Sequence, residues 1–244
     1  MKLILVWLRN LVIFFFVSTL TAVLVFKYVP VYLTPLMLVR CCEQVADGEW
    51  PTLKHRWVPL SSISRHAPQA VMASEDQLFL QHNGFDFKQI HQARLDALNG
   101  KRERGASTIS QQTAKNVFLW QGHNWLRKGL EAYFTVLIEH IWGKERIMEV
   151  YLNSVEMGQG IYGVEAVAQN HFGTTASKLS KKQASLIAAT LPTPLKRNTA
   201  KPSTHLMKRS AQIMRDMKII EQFPDVSCDS TDRESGKRGK GRKK

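Results

Sequence analysis

The strongest constraint on this chain is an uncharged apolar run near its start, Leu11 to Phe26, LVIFFFVSTLTAVLVF. Wound as a helix it rises about 24 Å, short of a hydrocarbon core of roughly 30 Å. Leu3 to Leu8 supply the missing length, with Arg9 reaching the interface along its aliphatic stem. No small-residue cleavage site follows, so the run reads as a retained anchor rather than a removed signal peptide. Lys2 and Arg9 precede it and Lys27 follows. That weak bias favours a cytoplasmic N-terminus with the rest of the chain outside. The expected organisation is a short cytoplasmic N-terminus at 1–10, an anchor at 11–29, a folded domain at 30–223 and a tail at 224–244.

The 244 residues leave room for one well-buried domain. Lys and Arg total 34 against 20 acidic residues, a net charge of +14. Such an excess suits an anionic partner: nucleic acid, lipid headgroups or a phosphorylated substrate. Part of it sits in the tail, where Arg233, Lys237, Arg238, Lys240, Arg242, Lys243 and Lys244 lie among Gly and Ser. That stretch cannot bury a core and is expected to be disordered, either solvated or touching anionic lipid. A nucleic-acid binder would interleave aromatic and basic residues, and the basic run here has no aromatics. Cys41, Cys42 and Cys228 form neither a disulfide framework nor a metal-ligand spacing.

Beyond the anchor, Val31 to Val39 stays apolar (VYLTPLMLV), as a helix near the membrane surface or as part of the core. From Pro68 onward the periodicity is helical. Pro68 suits a first turn running through Ala73, and Ser107 or Thr108 can cap a helix through Asn116. Leu130, Phe134, Leu137, Ile138 and Ile141 mark one buried stripe on a helix over Trp125 to Trp142, ended by Gly143. Further helices are predicted over Glu145–Leu152, Lys181–Leu191 and Lys208–Ile220. Strand-like alternation is nearly absent, so the fold class is mainly α.

Four polar constellations carry candidate chemistry. Glu75 and Asp76 lead into Phe79, His82 and Gly84 after an apolar helical stretch. A carboxylate held beside buried apolar residues has its pKa raised and suits a general base; the plainer reading is an acidic pair on a solvated helix end. Gly105 to Asn116 places Ser107, Gln111, Gln112, Lys115 and Asn116 on one helical segment, with Arg102 and Arg104 just before it. Gln111 and Lys115 are expected on one face, Gln112 and Asn116 on another. Such a surface fits a phosphorylated sugar, or is simply an exposed capped helix. Arg127, Lys128 and Glu131 read alone as a surface ion pair. Tyr151 and Asn153, before the glycines Gly158, Gly160 and Gly163, can be purely architectural.

In order and spacing together these segments are more specific. EDQLFLQHNGFD (75–86), GASTISQQTAKN (105–116), RKGLE (127–131), KERIMEVYLN (144–153), YGVEAVAQNHFG (162–173) and QASLIAATLPTP (183–194) resemble glycosyltransferase family 51, the peptidoglycan polymerases. The likeness runs from about Trp57 to Pro202 and favours the monofunctional branch, since no length remains for a transpeptidase domain. Ala106 and Ser110 stand where the family often has Gly and Thr. Neither change touches a residue assigned to chemistry.

The resemblance implies a lysozyme-like helical catalytic domain over 30–223 on one transmembrane helix. It implies polymerisation of lipid II on the outer face of the cytoplasmic membrane, with inversion and release of undecaprenyl pyrophosphate. Glu75 would be the base. Lys115, Lys128, Arg127 and Arg104 would grip the diphosphate. Glu131 would orient those cations, or hold a divalent cation such as Mg or Mn. Ser107, Gln111, Gln112 and Asn116 would hold sugar or phosphate, while Asp76, Phe79, His82, Gly84, Tyr151 and Asn153 shape the motifs. Expected partners are lipid II, the growing lipid-linked glycan, the membrane and other cell-wall synthesis or division proteins, with no nucleic acid. The competing enzyme class is a lysozyme-like glycan-cleaving enzyme; fold cannot separate the two, but the cation content can.

Overall fold

A computed structural model of the chain describes residues 2–100, 105–122 and 124–226. Arg104, Cys228 and the basic run from Arg233 lie outside the described residues. The first element, α1 (Lys2–Tyr28), starts well ahead of the uncharged run. Among the described residues it is the one helix long and apolar enough to cross a membrane. Its first turns, with Leu3, Trp7 and Phe14, are exposed. Its later turns are seated on the domain. Thr19 Oγ1 hydrogen-bonds Tyr133 OH (2.9 Å), and Trp142 Nε1 donates to Val23 O (2.7 Å). Arg146 Nη2 donates to Phe26 O (2.9 Å) and Val29 O (2.7 Å), capping the carbonyls that a helix end leaves open.

α2 (Pro35–Ala46) follows, begun by the Thr34 cap with Pro35 in the first turn. Of the apolar segment over 31–39, Val31, Leu36 and Met37 are buried while Tyr32, Leu33 and Leu38 face outward. It divides between core and surface instead of serving one alone. The core helices are α3 (His66–Glu75), α5 (Ile109–Phe118), α6 (Trp125–Ile141), α7 (Gly143–Ser154), α8 (Val164–Phe172), α9 (Lys181–Thr190) and α10 (Thr204–Asp216). α4 (Phe87–Leu98), which the sequence pattern did not predict, lies outside them with its apolar residues largely exposed. α9 packs between α3 and α10, and α5 packs against α6 and α7. The α6 stripe is in place: Phe134 and Ile138 are buried, Leu130, Leu137 and Ile141 partly so, and Phe134 stacks on Phe118 at 4.5 Å. Gly143, predicted as a terminator, has φ +76° and opens α7 directly. The last helix starts at its Ser203 cap, earlier than the predicted Lys208. Phe223 and Val226 pack on the core, so the tail boundary at 224 is not where contact with the domain ends.

A small sheet, also absent from the sequence reading, joins β1 (Lys54–His55), β3 (Ile161–Tyr162) and β2 (Glu156–Gly158) in that order. β1 runs parallel to β3, and β2 antiparallel to it with an irregular register between Glu156 and Gly158. At the adjoining Gly163, φ is +81° and a Cβ would come within 2.5 Å of Asn153 O. Asn153, fully buried, ties the end of α7 to the incoming strand segment. Its Nδ2 donates to Val58 O (2.9 Å) and Glu149 O (2.8 Å), and its Oδ1 accepts from Val58 N (2.9 Å). Asn153→Ala leaves those backbone groups unpaired. A loss of about 2–4 kcal/mol is expected, measured as a lower urea midpoint of the detergent-purified protein.

Candidate active site

The site is organised by a buried carboxylate, Asp76. Asp76, just past the end of α3, accepts the His82 Nε2–H on both oxygens (3.0 Å each). The Gly84 backbone N–H donates to His82 Nδ1 (3.1 Å), which fixes that tautomer. Asp76 Oδ2 also accepts from Ile109 N (3.0 Å), one of the open donors at the start of α5. Thr108 Oγ1 donates to Gly84 O (2.7 Å). Gly84 has φ +90°, and a Cβ there would sit 2.7 Å from Thr135 Cγ2, so a side chain would push the loop off α6. Phe79 is fully buried under the Lys144 ammonium, 4.6 Å from the ring centre. The loop and the N-terminus of α5 are therefore one rigid piece.

That piece sets Glu75, half-buried at the end of α3, beside Gln112 on α5. Glu75 Oε1 accepts from Ser74 Oγ (3.0 Å) and Oε2 from Gln112 Nε2 (3.4 Å). Gln112 Oε1 in turn accepts from Tyr151 OH (3.1 Å), which orients the amide. Tyr151 is fully buried, and burial with the nearby charges of Glu75 and Asp76 raises its pKa well above the usual phenol range. It stays a donor. Burial pushes the Glu75 carboxyl up; the bonds from Ser74 and Gln112 and the charges of Arg209 and Arg197 oppose it. Arg209 comes from α10, where its Nη2 donates to Ser74 O (3.3 Å). No sequence signal linked it to Glu75.

One turn along α5 from Gln112 the electrostatics change sign. Burial lowers the Lys115 pKa, the Glu131 carboxylate raises it, and the Arg127 and Lys128 charges lower it again. Glu131 is buried between two cations: Oε2 accepts from Arg127 Nη1 (2.6 Å) and Oε1 from Lys128 Nζ. Arg127 is also buried, so this is not the surface ion pair the spacing alone suggested. Both Glu131 oxygens are engaged by cations, which fixes the positions of Arg127 and Lys128. Among the described residues no group of three or more His, Cys, Asp or Glu is placed to hold a metal.

Gln112, Lys115 and Asn116 line one cavity of about 340 Å³, across from Arg40, Glu156 and the loop Leu191 to Lys196. Glu75 lines another of about 530 Å³, with Gln89, Gln92 and Arg209. The Gln112 side chain links the two. The expected grouping on α5 needs one correction. Gln111 is buried and turns back to close a capping box with Thr108, accepting from Thr108 N (3.0 Å), and does not line the cavity. Thr108, not Ser107, is the cap; Ser107 is exposed, its carbonyl accepting from Gln112 Nε2 (3.4 Å). The face that lines the cavity is Gln112, Lys115 and Asn116.

Glu75 at the end of α3, Lys115 on α5 and the Arg127, Lys128 and Glu131 group of α6 thus bring a carboxylate and a cation cluster together around α5 in a helical domain. The sequence profile of the family described as transglycosylase matches residues 44–218. The biosynthetic peptidoglycan transglycosylase of Bacteroides thetaiotaomicron is 56% identical over 239 residues, 98% of this chain and 96% of that protein. Proteins of the same name from Bdellovibrio bacteriovorus and Caulobacter vibrioides are 47% identical (94% of this chain, 95% of theirs) and 49% identical (84% and 89%). The chain belongs to the transglycosylase family and is a glycosyltransferase.

Breaking the buried pair leaves an uncompensated charge. Glu131→Ala is expected to cost about 3–5 kcal/mol of stability in urea denaturation. Lys128→Ala, whose side chain is 44% exposed, should cost about 1 kcal/mol or less.

Proposed function

We propose that this glycosyltransferase polymerises lipid II into β-1,4-linked peptidoglycan strands and releases undecaprenyl pyrophosphate. The observation that carries the reading is the cation cluster of Lys115, Arg127 and Lys128 one turn from the Gln112–Glu75 contact. Glu75 takes the proton of the acceptor 4-hydroxyl. The freed oxygen attacks the donor anomeric carbon as the bond to the pyrophosphate breaks, and the electron pair leaves on the phosphate. A single in-line displacement inverts the anomeric centre. Negative charge grows on the departing pyrophosphate, so fixed cations stabilise the transition state more than the ground state. Cleavage of a neutral glycan by water offers those cations no such charge, which favours transfer over the lysozyme-like alternative.

The residues support distinct roles. The Tyr151–Gln112–Glu75 chain holds the base, and Glu131 fixes Arg127 and Lys128. The diphosphate charge is met by the side chains of Lys115, Arg127 and Lys128, with one hydrogen bond on each Glu131 oxygen holding the last two in place. The proposed location is the cytoplasmic membrane, spanned once by α1, with the domain on the outer face. The bare turns of α1 and the exposed Trp125, Leu126 and Val136 of α6 support this, because both present apolar surface where a lipid substrate resides. Tethering the enzyme in the substrate's own leaflet raises the encounter concentration.

Glu75→Gln is expected to lower lipid II polymerisation by about 10²–10⁴-fold with the unfolding midpoint unchanged. Lys115→Met should lower kcat/KM by about 10²-fold. Full polymerisation by the Glu75 variant would remove that residue from the role of base. The base works ionised, so activity should fall as pH drops through its raised pKa. Arg209 favours the ionised form, hence Arg209→Ala should shift this acid limb to higher pH. A pH profile of kcat/KM checks the direction.

A further inference from the structure

Lys144 has no part in the reaction above, and its placement runs against two local preferences. It stands in the first turn of α7, where the helix dipole disfavours a cation. Its side chain is only 21% exposed, so the charge is largely withdrawn from water. What it finds there is a pair of acceptors. Lys144 Nζ donates to the His82 carbonyl (2.6 Å) and to Glu139 Oε1 (2.7 Å). The Glu139 side chain, on α6, is itself buried. The same Glu139 oxygen accepts from the hydroxyl of Ser110, a fully buried residue in the first turn of α5.

These bonds close a ring. From the His82 imidazole it runs to Asp76, from Asp76 to Ile109 N, and along the backbone to Ser110. From Ser110 it passes to Glu139, then to Lys144, and back to the His82 carbonyl. The loop therefore holds α5 at two successive residues, Ile109 by its backbone and Ser110 by its side chain. A single tie fixes one point of a helix and lets it turn about that point; a second tie fixes the turn. The turn of α5 aims Gln112, whose Nε2 reaches Glu75 Oε2 at 3.4 Å, long for a hydrogen bond and so easily lost. We propose that Lys144, through Glu139 and Ser110, is a positioning residue that sets the rotation of α5 and keeps Gln112 on the Glu75 base. None of the three lines the cavity of Glu75 or that of Lys115, and they act through Gln112.

This inference rests on the lipid II reading, and the test separates the two. Full-length protein in detergent is assayed over lipid II concentration and pH as wild type, Lys144→Met, Ser110→Ala and Ser110→Thr, with the urea midpoint of each. Wild type should polymerise lipid II; if it does not, the reading of the reaction falls and this inference with it. Lys144→Met keeps an aliphatic stem over Phe79 and should lower kcat about tenfold, with KM within about threefold because the substrate contacts remain. Loosening the Gln112 bond removes one support of the ionised base, so the acid limb of kcat/KM should move to higher pH. The charges of Arg209 and Arg197 on Glu75 are the same in every variant, as are Asp76 and Tyr151 beside it. Ser110→Ala leaves no buried charge unpaired, and should move kcat and the acid limb in the same direction even if Lys144→Met does not fold. Ser110→Thr keeps the hydroxyl and should restore both. An active wild type with kcat and acid limb unchanged in Ser110→Ala overturns the assignment, as does a set of variants in which only the urea midpoint falls.

Discussion

The structure depends on the bond from Asp76 to the open N-terminus of α5. A helix start exposes backbone donors that need partners, and a buried carboxylate is costly unless it finds donors. Each solves the other's problem: Asp76 takes Ile109 N–H and the His82 imidazole N–H together. The consequence is geometric. Glu75 is the adjacent residue and Gln112 lies one turn into α5, so the same tie that satisfies Asp76 brings the carboxylate to its amide partner. Gly84 and Thr108 complete the joint, one by lacking a side chain where α6 passes and one by bonding the loop carbonyl.

Much of this was legible from the chain. The apolar run, the α6 stripe and the cap before Gln111 all follow from local periodicity and capping chemistry. So does the grouping of Arg127, Lys128 and Glu131, which sit three and four apart on one helix. Their burial does not follow, because it depends on what packs over them. α4 escaped notice because its apolar residues are mostly exposed and form no buried stripe. The sheet escaped because strands of two or three residues are too short for alternation to show.

Gln111 on α5 is more instructive. Spacing pairs Gln111 with Lys115 and Gln112 with Asn116, but the third residue of a helix behind a Thr cap has a competing use. Its side chain folds back to the cap's own N–H, and that local bond wins. The cavity is then lined by Gln112, Lys115 and Asn116 without Gln111. Arg209 and Glu156 were illegible for a different reason. Arg209 approaches Glu75 from α10, and Arg40 meets Glu156 from α2 across long stretches of chain. Tertiary pairings of this kind leave no spacing to read.

The charge of the site can be argued from what the fold leaves unbalanced. Lys115, Arg127 and Lys128 share one carboxylate, Glu131. Burial already disfavours the ammonium of Lys115, and its two cationic neighbours disfavour it further. A domain selected for stability alone would not gather three cations around one acid. The arrangement becomes favourable when an anion enters, and more so when that anion gains charge. A pyrophosphate does both as it leaves a sugar. Glu131 is then a counter-charge that keeps the empty site folded while using both its oxygens on the cations it aims. In the proposed reaction the excess positive charge that remains is held for the leaving group, one turn from the proposed base.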